Sequence, residues 1–130
     1  IGNGDVTICT VSGATLINCV SQDTGLNQLL GAAVAGTTLF VTGANDEEIY
    51  SCPITGGGAT LGACTLVPVD GHSWNNPCDI LIDNSGTVAF ISDFQTDAVV
   101  LCDVSGALLT NCASAGQISD APYGMFLEYA

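Results

Sequence analysis

The chain has 130 residues and a mass of 13.1 kDa, the size of one ordinary domain, which leaves little room for a two-domain enzyme with a cleft between its halves. Hydrophobic residues make up 48% and charged residues 10%, with a mean hydropathy of +0.49, a composition opposite to that of disordered chains. All 13 charges are Asp or Glu and none is Lys or Arg, so the chain cannot neutralise phosphates: nucleic acid and anionic membranes are strongly disfavoured as partners, and Arg clamps, Lys Schiff bases and Walker-type phosphate binding are absent from the possible mechanisms.

In chain order, the first predicted element is a strand pair, Val6-Thr-Ile-Cys-Thr-Val-Ser-Gly-Ala-Thr-Leu-Ile-Asn-Cys19. An uncharged stretch follows from Thr24 to Asn45, long enough to raise the question of a membrane span. Asn27, Gln28, Gly31, Gly36, Thr37 and Thr38 interrupt it, and its apolar parts, Leu29–Ala35 and Leu39–Val41, have the lengths of strands, so it reads as two buried strands with a turn between. No membrane insertion is expected. A second strand pair runs from Ile49 to Cys64, single strands from Pro77 to Ile82 and from Ala89 to Asp93, a third pair from Val99 to Cys112, and a last strand from Pro122 to Leu127. Short apolar runs, Thr and Val richness and 16 glycines all favour strands over helices. The chain opens at Ile1 with no basic, then apolar, leader, so a signal peptide is expected to have been removed or the chain to belong to something longer.

These elements repeat. The three strand pairs align on their cysteines, and Leu39-Phe-Val-Thr-Gly43 aligns with Ala89-Phe-Ile-Ser-Asp93, each placing Phe twelve residues before the next Cys. Leu30-Gly-Ala-Ala-Val34 aligns with Pro77-Cys-Asp-Ile-Leu-Ile82 and with Pro122-Tyr-Gly-Met-Phe-Leu127. The unit is four short strands, a to d, and its first Cys recurs after 43 and then 50 residues. A four-strand unit of that period predicts an all-β fold of β-propeller blades, four antiparallel strands each. Ile80-Leu-Ile82 and Val99-Val-Leu101 are apolar at consecutive positions, as strands covered on both faces are.

On these residues the chain resembles the lactonase-like and surface-layer propeller repeats known as YVTN repeats. Phe40-Val-Thr-Gly43 and Phe90-Ile-Ser-Asp93 stand where the aromatic-Val-Thr-Asn tetrapeptide would be, with Gly43 and Asp93 in place of its Asn. Cys52-Pro-Ile-Thr with Leu61-Gly-Ala-Cys64 is similar to the cysteine-bearing hairpin of some bacterial members. The resemblance implies a cell-surface repeat protein or a lactonase-like hydrolase.

The phase of the repeat gives one domain over 1–130, divided into a partial blade (1–25), two full blades (26–70 and 71–116) and the start of another (117–130). That is about three blades, and a closed ring needs at least four. Another copy or further sequence is expected to complete the array, as a ring or a filament of head-to-tail copies.

Six of the seven cysteines fall opposite one another across the three hairpins, at the spacing a disulfide accepts. The predicted bonds are Cys9–Cys19, Cys52–Cys64 and Cys102–Cys112, which imply an oxidising compartment and an extracellular or cell-surface location. The spacings do not resemble zinc ligation, and no metal site is expected. Cys78 is left as a buried free thiol or, second, an intermolecular one.

His72, the one histidine, lies in Asp70-Gly-His-Ser-Trp-Asn-Asn-Pro77. A single His cannot build a multi-His metal centre, and the adjacent Ser73 is unsuited by geometry to pair with it as nucleophile and base. By analogy with propellers, His72 and Trp74 share one face with Asp46, Glu47, Glu48, Asp93 and Asp97. Carboxylates beside an exposed aromatic suit sugar hydroxyls or Ca²⁺, although acidic loops are commonly only the solvated ends of strands. Asp83-Asn-Ser-Gly86 and Gly56-Gly-Gly58 read as turns. No catalytic constellation is present, and no cofactor beyond Ca²⁺ is expected. The expectation is therefore a structural or adhesive, self-assembling and non-catalytic protein, with a lactonase-like hydrolase or a glycan-binding module as alternatives.

Overall fold

A computed structural model describes residues 4–43 and 47–117, together with 125 and 128. Among these the chain is all-β, in three antiparallel sheets, with two 3-10 turns (Gly56–Gly58 and Phe94–Thr96) and no α-helix. No helix of the described residues is long and apolar enough to cross a membrane.

The first sheet is a hairpin of β1 (Asp5–Ser12) and β2 (Thr15–Asp23). The middle sheet is a meander of β3 (Leu29–Ala35), β4 (Thr38–Gly43) and β5 (Glu48–Thr55), whose outer edge carries two short strands, β6 (Thr60–Leu61) and β7 (Thr65–Leu66). The third sheet is a meander of β8 (Pro77–Ile82), β9 (Val88–Asp93), β10 (Ala98–Ser105) and β11 (Leu108–Gln117). Both complete meanders thus follow the a-b-c-d order of the repeat, and no sheet of the described residues closes on itself. Of the predicted strand Pro122–Leu127 only Met125 is among the described residues, and the candidate Asp46 lies outside them.

Turn chemistry sets the hairpins. The loops joining β1 to β2 and β10 to β11 have two residues, with Gly13 and Gly106 first, at φ of 61° and 60°. Glycine adopts that backbone without a Cβ penalty, and its twist matches that of the flanking strands. Further along the same hairpins the register shifts at Cys9 and at Cys102, where Asn18 and Asn111 turn left-handed (φ 53° and 51°) just before Cys19 and Cys112. The cysteines therefore face each other beside a bulge, with Cα atoms 4.1 Å apart in all three disulfides. In the middle hairpin Gly62, Ala63 and Cys64 interrupt the outer strand, which the sequence places there as one strand and the structure splits into β6 and β7.

The sheets stack face to face, and β4 shows how. Leu39 and Val41 pack in one cluster with Cys52, Leu61 and, from the first hairpin, Val6 and Ile8. Phe40, between them, points the other way into a cluster with Ile49 and with Ile80, Ile91, Val100 and Leu109 of the third sheet. Alternate residues of one strand thus serve two different interfaces, and β4 is buried along nearly its whole length. Burying each large aliphatic or aromatic side chain in this way is worth about 1.5–3 kcal/mol.

Close approach of the inner strands requires a glycine. A Cβ on Gly31 would come within 2.8 Å of the Cys78 carbonyl oxygen and 2.9 Å of Asp79 Cα. The strand there is bulged, with the β3–β4 register shifting between Leu29 and Gly31. The Gly31 N–H freed by the bulge donates to Thr42 Oγ1 (2.9 Å), and the Thr42 hydroxyl donates to the Cys78 carbonyl across the sheets (3.0 Å). The third sheet repeats the device: the register shifts between Pro77 and Asp79, and Asp79 N–H donates to Ser92 Oγ (3.0 Å). The hydroxyl at the third position of Phe-Val-Thr-Gly and Phe-Ile-Ser-Asp thus satisfies a half-buried donor that the ladder cannot.

Candidate functional site

The loop from Asp70 to Asn76 leads from the middle sheet into β8, and its conformation is tied to one carboxylate. Asp93, the last residue of β9, is fully buried. Its Oδ2 accepts from His72 Nε2 at 2.9 Å and from the Asn75 N–H at 3.2 Å, and its Oδ1 accepts from the Asn76 N–H at 2.9 Å. A buried carboxylate without such partners would be expelled or neutralised, so these donors and the carboxylate hold one another in place. The Trp74 ring stands 4.9 Å from the imidazole at 60° and packs against the core of the third sheet. His72 and Trp74 are half-buried, not splayed into solvent.

Among the candidates, the structure brings His72, Trp74 and Asp93 together. Glu47 and Asp97 take equivalent places at the start of β5 and β10, both left-handed (φ 54° and 50°), and neither they nor Glu48 takes part in the hydrogen bonds around Asp93. Glu48 pairs with Gly43 in the ladder of the middle sheet. No group of three metal-ligating side chains occurs among the described residues. The three-donor cradle of Asp93 acts on its own loop: it fixes the imidazole and two backbone amides, and its oxygens are already engaged.

Cys78 is free and buried, its thiol donating to the Asn76 carbonyl at 3.4 Å. Burial pushes its pKa up, and the neighbouring Asp93 carboxylate adds to this, which disfavours the reactive thiolate. Asp83, by contrast, is a turn carboxylate held below the usual range by the Ser85 hydroxyl and the amides of Val88 and Thr87.

Three positions that sequence reasoning missed position these elements. Gln22 on β2 donates through Nε2 to the Leu61 carbonyl (2.7 Å) and accepts from the Leu61 N–H (2.9 Å), so one side-chain amide pairs with the outer edge of β6 as a strand would. Asp70 accepts from the Asn111 N–H through Oδ2 (3.3 Å), and its carbonyl accepts from the Cys112 N–H (2.9 Å), locking the loop to β11. Asp79 Oδ2 accepts from the Met125 N–H at 2.8 Å. Nothing in residue type marks Gln22. Nor does it mark Gly71, where a Cβ would meet the Cys112 carbonyl.

No protein-family model matches the chain, and no curated protein matches it. Among solved structures, the chain is similar to Kuenenia stuttgartiensis hydrazine synthase, with 17% identity and a TM-score of 0.59 over 92% of this chain and 32% of that one. At that identity the likeness shows the fold alone, and this chain spans about a third of the length of its neighbour.

Proposed function

We propose that this is a non-catalytic structural or adhesive protein built of β-propeller blades, working outside the cell or on its surface and assembling head-to-tail. The observation that carries this reading is the stacking of sheets through two distinct apolar interfaces on either side of β4. An array of this kind ends in faces that want a neighbour. On the outer side of β3, Leu30 is 51% and Val34 54% exposed, and soluble monomers seldom leave such a face in water. Three disulfides support an oxidising setting. The engagement of Asp93 within its own loop favours this reading over a hydrolase or a lectin that would use His72, Trp74 and neighbouring carboxylates.

Sedimentation velocity on the full chain tests it. Mass should rise above the monomer with concentration, and more readily in physiological salt than in dilute buffer, because a net charge of −13 sets copies against each other until salt screens it. A monomer at every concentration and ionic strength contradicts the proposal. Ester or lactone turnover lost in His72→Ala, or glycan binding lost in Trp74→Ala, would replace it with one of the alternatives.

A further inference from the structure

A slot lies between the first hairpin and the inner strand of the middle sheet. In the two complete meanders, the strand equivalent to β1 is paired on both edges, β5 with β4 and β10 with β9. Among the described residues β1 pairs with β2 alone, so one edge is open. The gap beside that edge holds a cavity of about 370 Å³ lined by Val6, Ile8, Ala32, Val34, Leu39 and Leu61. A second, of about 260 Å³, is lined in part by Asp5, Leu30 and Val41. The slot thus has an apolar floor along β3 and a row of backbone donors and acceptors along β1, the two things an added strand needs.

The molecule contains its own template for what covers the slot floor. On the opposite face of β3, Gly31 meets the backbone of β8 and Ala33 and Ala35 pack into the shared core. Pro122-Tyr-Gly-Met-Phe-Leu127 repeats the sequence of that same inner strand, with Gly124 at the register of Gly31 and Phe126 at that of Ala33. The Met125 N–H is bonded to Asp79 on β8, and by the period of the strand Asp79 is on the face opposite Ile80, away from the middle sheet. Met125 therefore lies at the far face of the third sheet, where a following copy would stack.

We infer that the 118–130 segment of one copy docks in the slot between β1 and β3 of a second copy, joining the far face of one molecule to the open face of the next. The inference rests on the head-to-tail reading above and adds the address of the contact. The contact is heterologous: each copy has one slot and one donor segment, on different surfaces.

Two substitutions in the full chain test it. Val34→Asp puts a carboxylate on the slot floor at a residue now 54% exposed, so the fold tolerates it, while docking would bury it unpaired. Phe126→Asp damages the donor and leaves the slot intact. Each should weaken self-association at least about 100-fold in sedimentation velocity, while Leu108→Asp, at an exposed site outside the slot, leaves it unchanged. Mixing the Val34→Asp and Phe126→Asp chains should restore a dimer and nothing larger, because one intact slot meets one intact donor. If wild type assembles and both slot and donor variants assemble equally well, the docking inference is wrong and head-to-tail assembly stands on some other surface. If the mixture stays as unpaired as each variant alone, slot and segment do not meet as acceptor and donor, and the docking inference is wrong. A wild-type chain that is monomeric throughout overturns both.

Discussion

The hairpins β1–β2 and β10–β11 have nearly the same local sequence and opposite surroundings. Both carry Val-Ser-Gly-Ala at the turn and Asn-Cys at the bulge, and both close with a disulfide across 10 residues. Cys102 and Cys112 are buried, whereas Cys9 is half-buried and Cys19 exposed. Val11, Leu16 and Val20 of the first hairpin are 72%, 65% and 59% exposed. Local residues therefore build the hairpin, and the strands beside it decide whether it is core. The third sheet supplies β8 and β9 to its hairpin; among the described residues the first hairpin has only the middle sheet on one side.

The widest test of that contrast compares a residue at the centre of the stack with one at its edge. Phe40→Ala should cost about 3–5 kcal/mol in urea unfolding, because the side chain is fully buried between sheets. Val11→Ala should fall within about 0.5 kcal/mol. Similar costs at the two positions would mean that the first hairpin is packed in solution by something else. The disulfides sharpen the comparison at constant local sequence. Removing either pair as Cys→Ala should cost about 2–3 kcal/mol through loop entropy, and the Cys102–Cys112 pair about 1–2 kcal/mol more, because it also leaves a void in a packed core. Equal costs would contradict the difference in burial.

Much of this contrast was legible in sequence and part of it was not. Cysteine spacing with glycine turns marks every hairpin, and the paired Phe40 and Phe90 motifs mark the second strand of each meander, because turn backbone and strand period are local properties. The loop around Asp93 was not legible: the residue reads as one acidic loop end among several, and only the fold shows three donors converging on it. The split of the outer edge into β6 and β7, and its patching by Gln22, depend on contacts 39 residues apart. The exposure of Leu16 and Val20 likewise escapes a pattern that is apolar in both hairpins, since the pattern does not say which neighbours are present.

Loops and turns supply smaller tests. Asp93→Ala should cost about 2–3 kcal/mol, since it strips partners from His72 and two amides, and should raise amide exchange in residues 72–76 before the middle sheet is affected. An unchanged loop would show that its conformation is set elsewhere. The smallest expected effect is at the β8–β9 turn, where the folded state lowers the pKa of Asp83. A carboxylate lowered on folding contributes stability above its unfolded value, near 4, and loses it as pH falls through the folded value. Asp83→Asn should therefore flatten the acid limb of the stability curve slightly and leave the alkaline limb as it was. An unchanged acid limb would show that the turn holds without the charge.

Amide hydrogen exchange at low and high protein concentration tests most directly the claim that the open side of the stack is completed by another copy. Amides of β4, β9 and β10 should exchange slowly at both concentrations, while those of β1 should exchange faster when dilute and slow markedly as the chain is concentrated. Exchange in β1 that is independent of concentration, or as slow as in β10 from the start, would contradict the account.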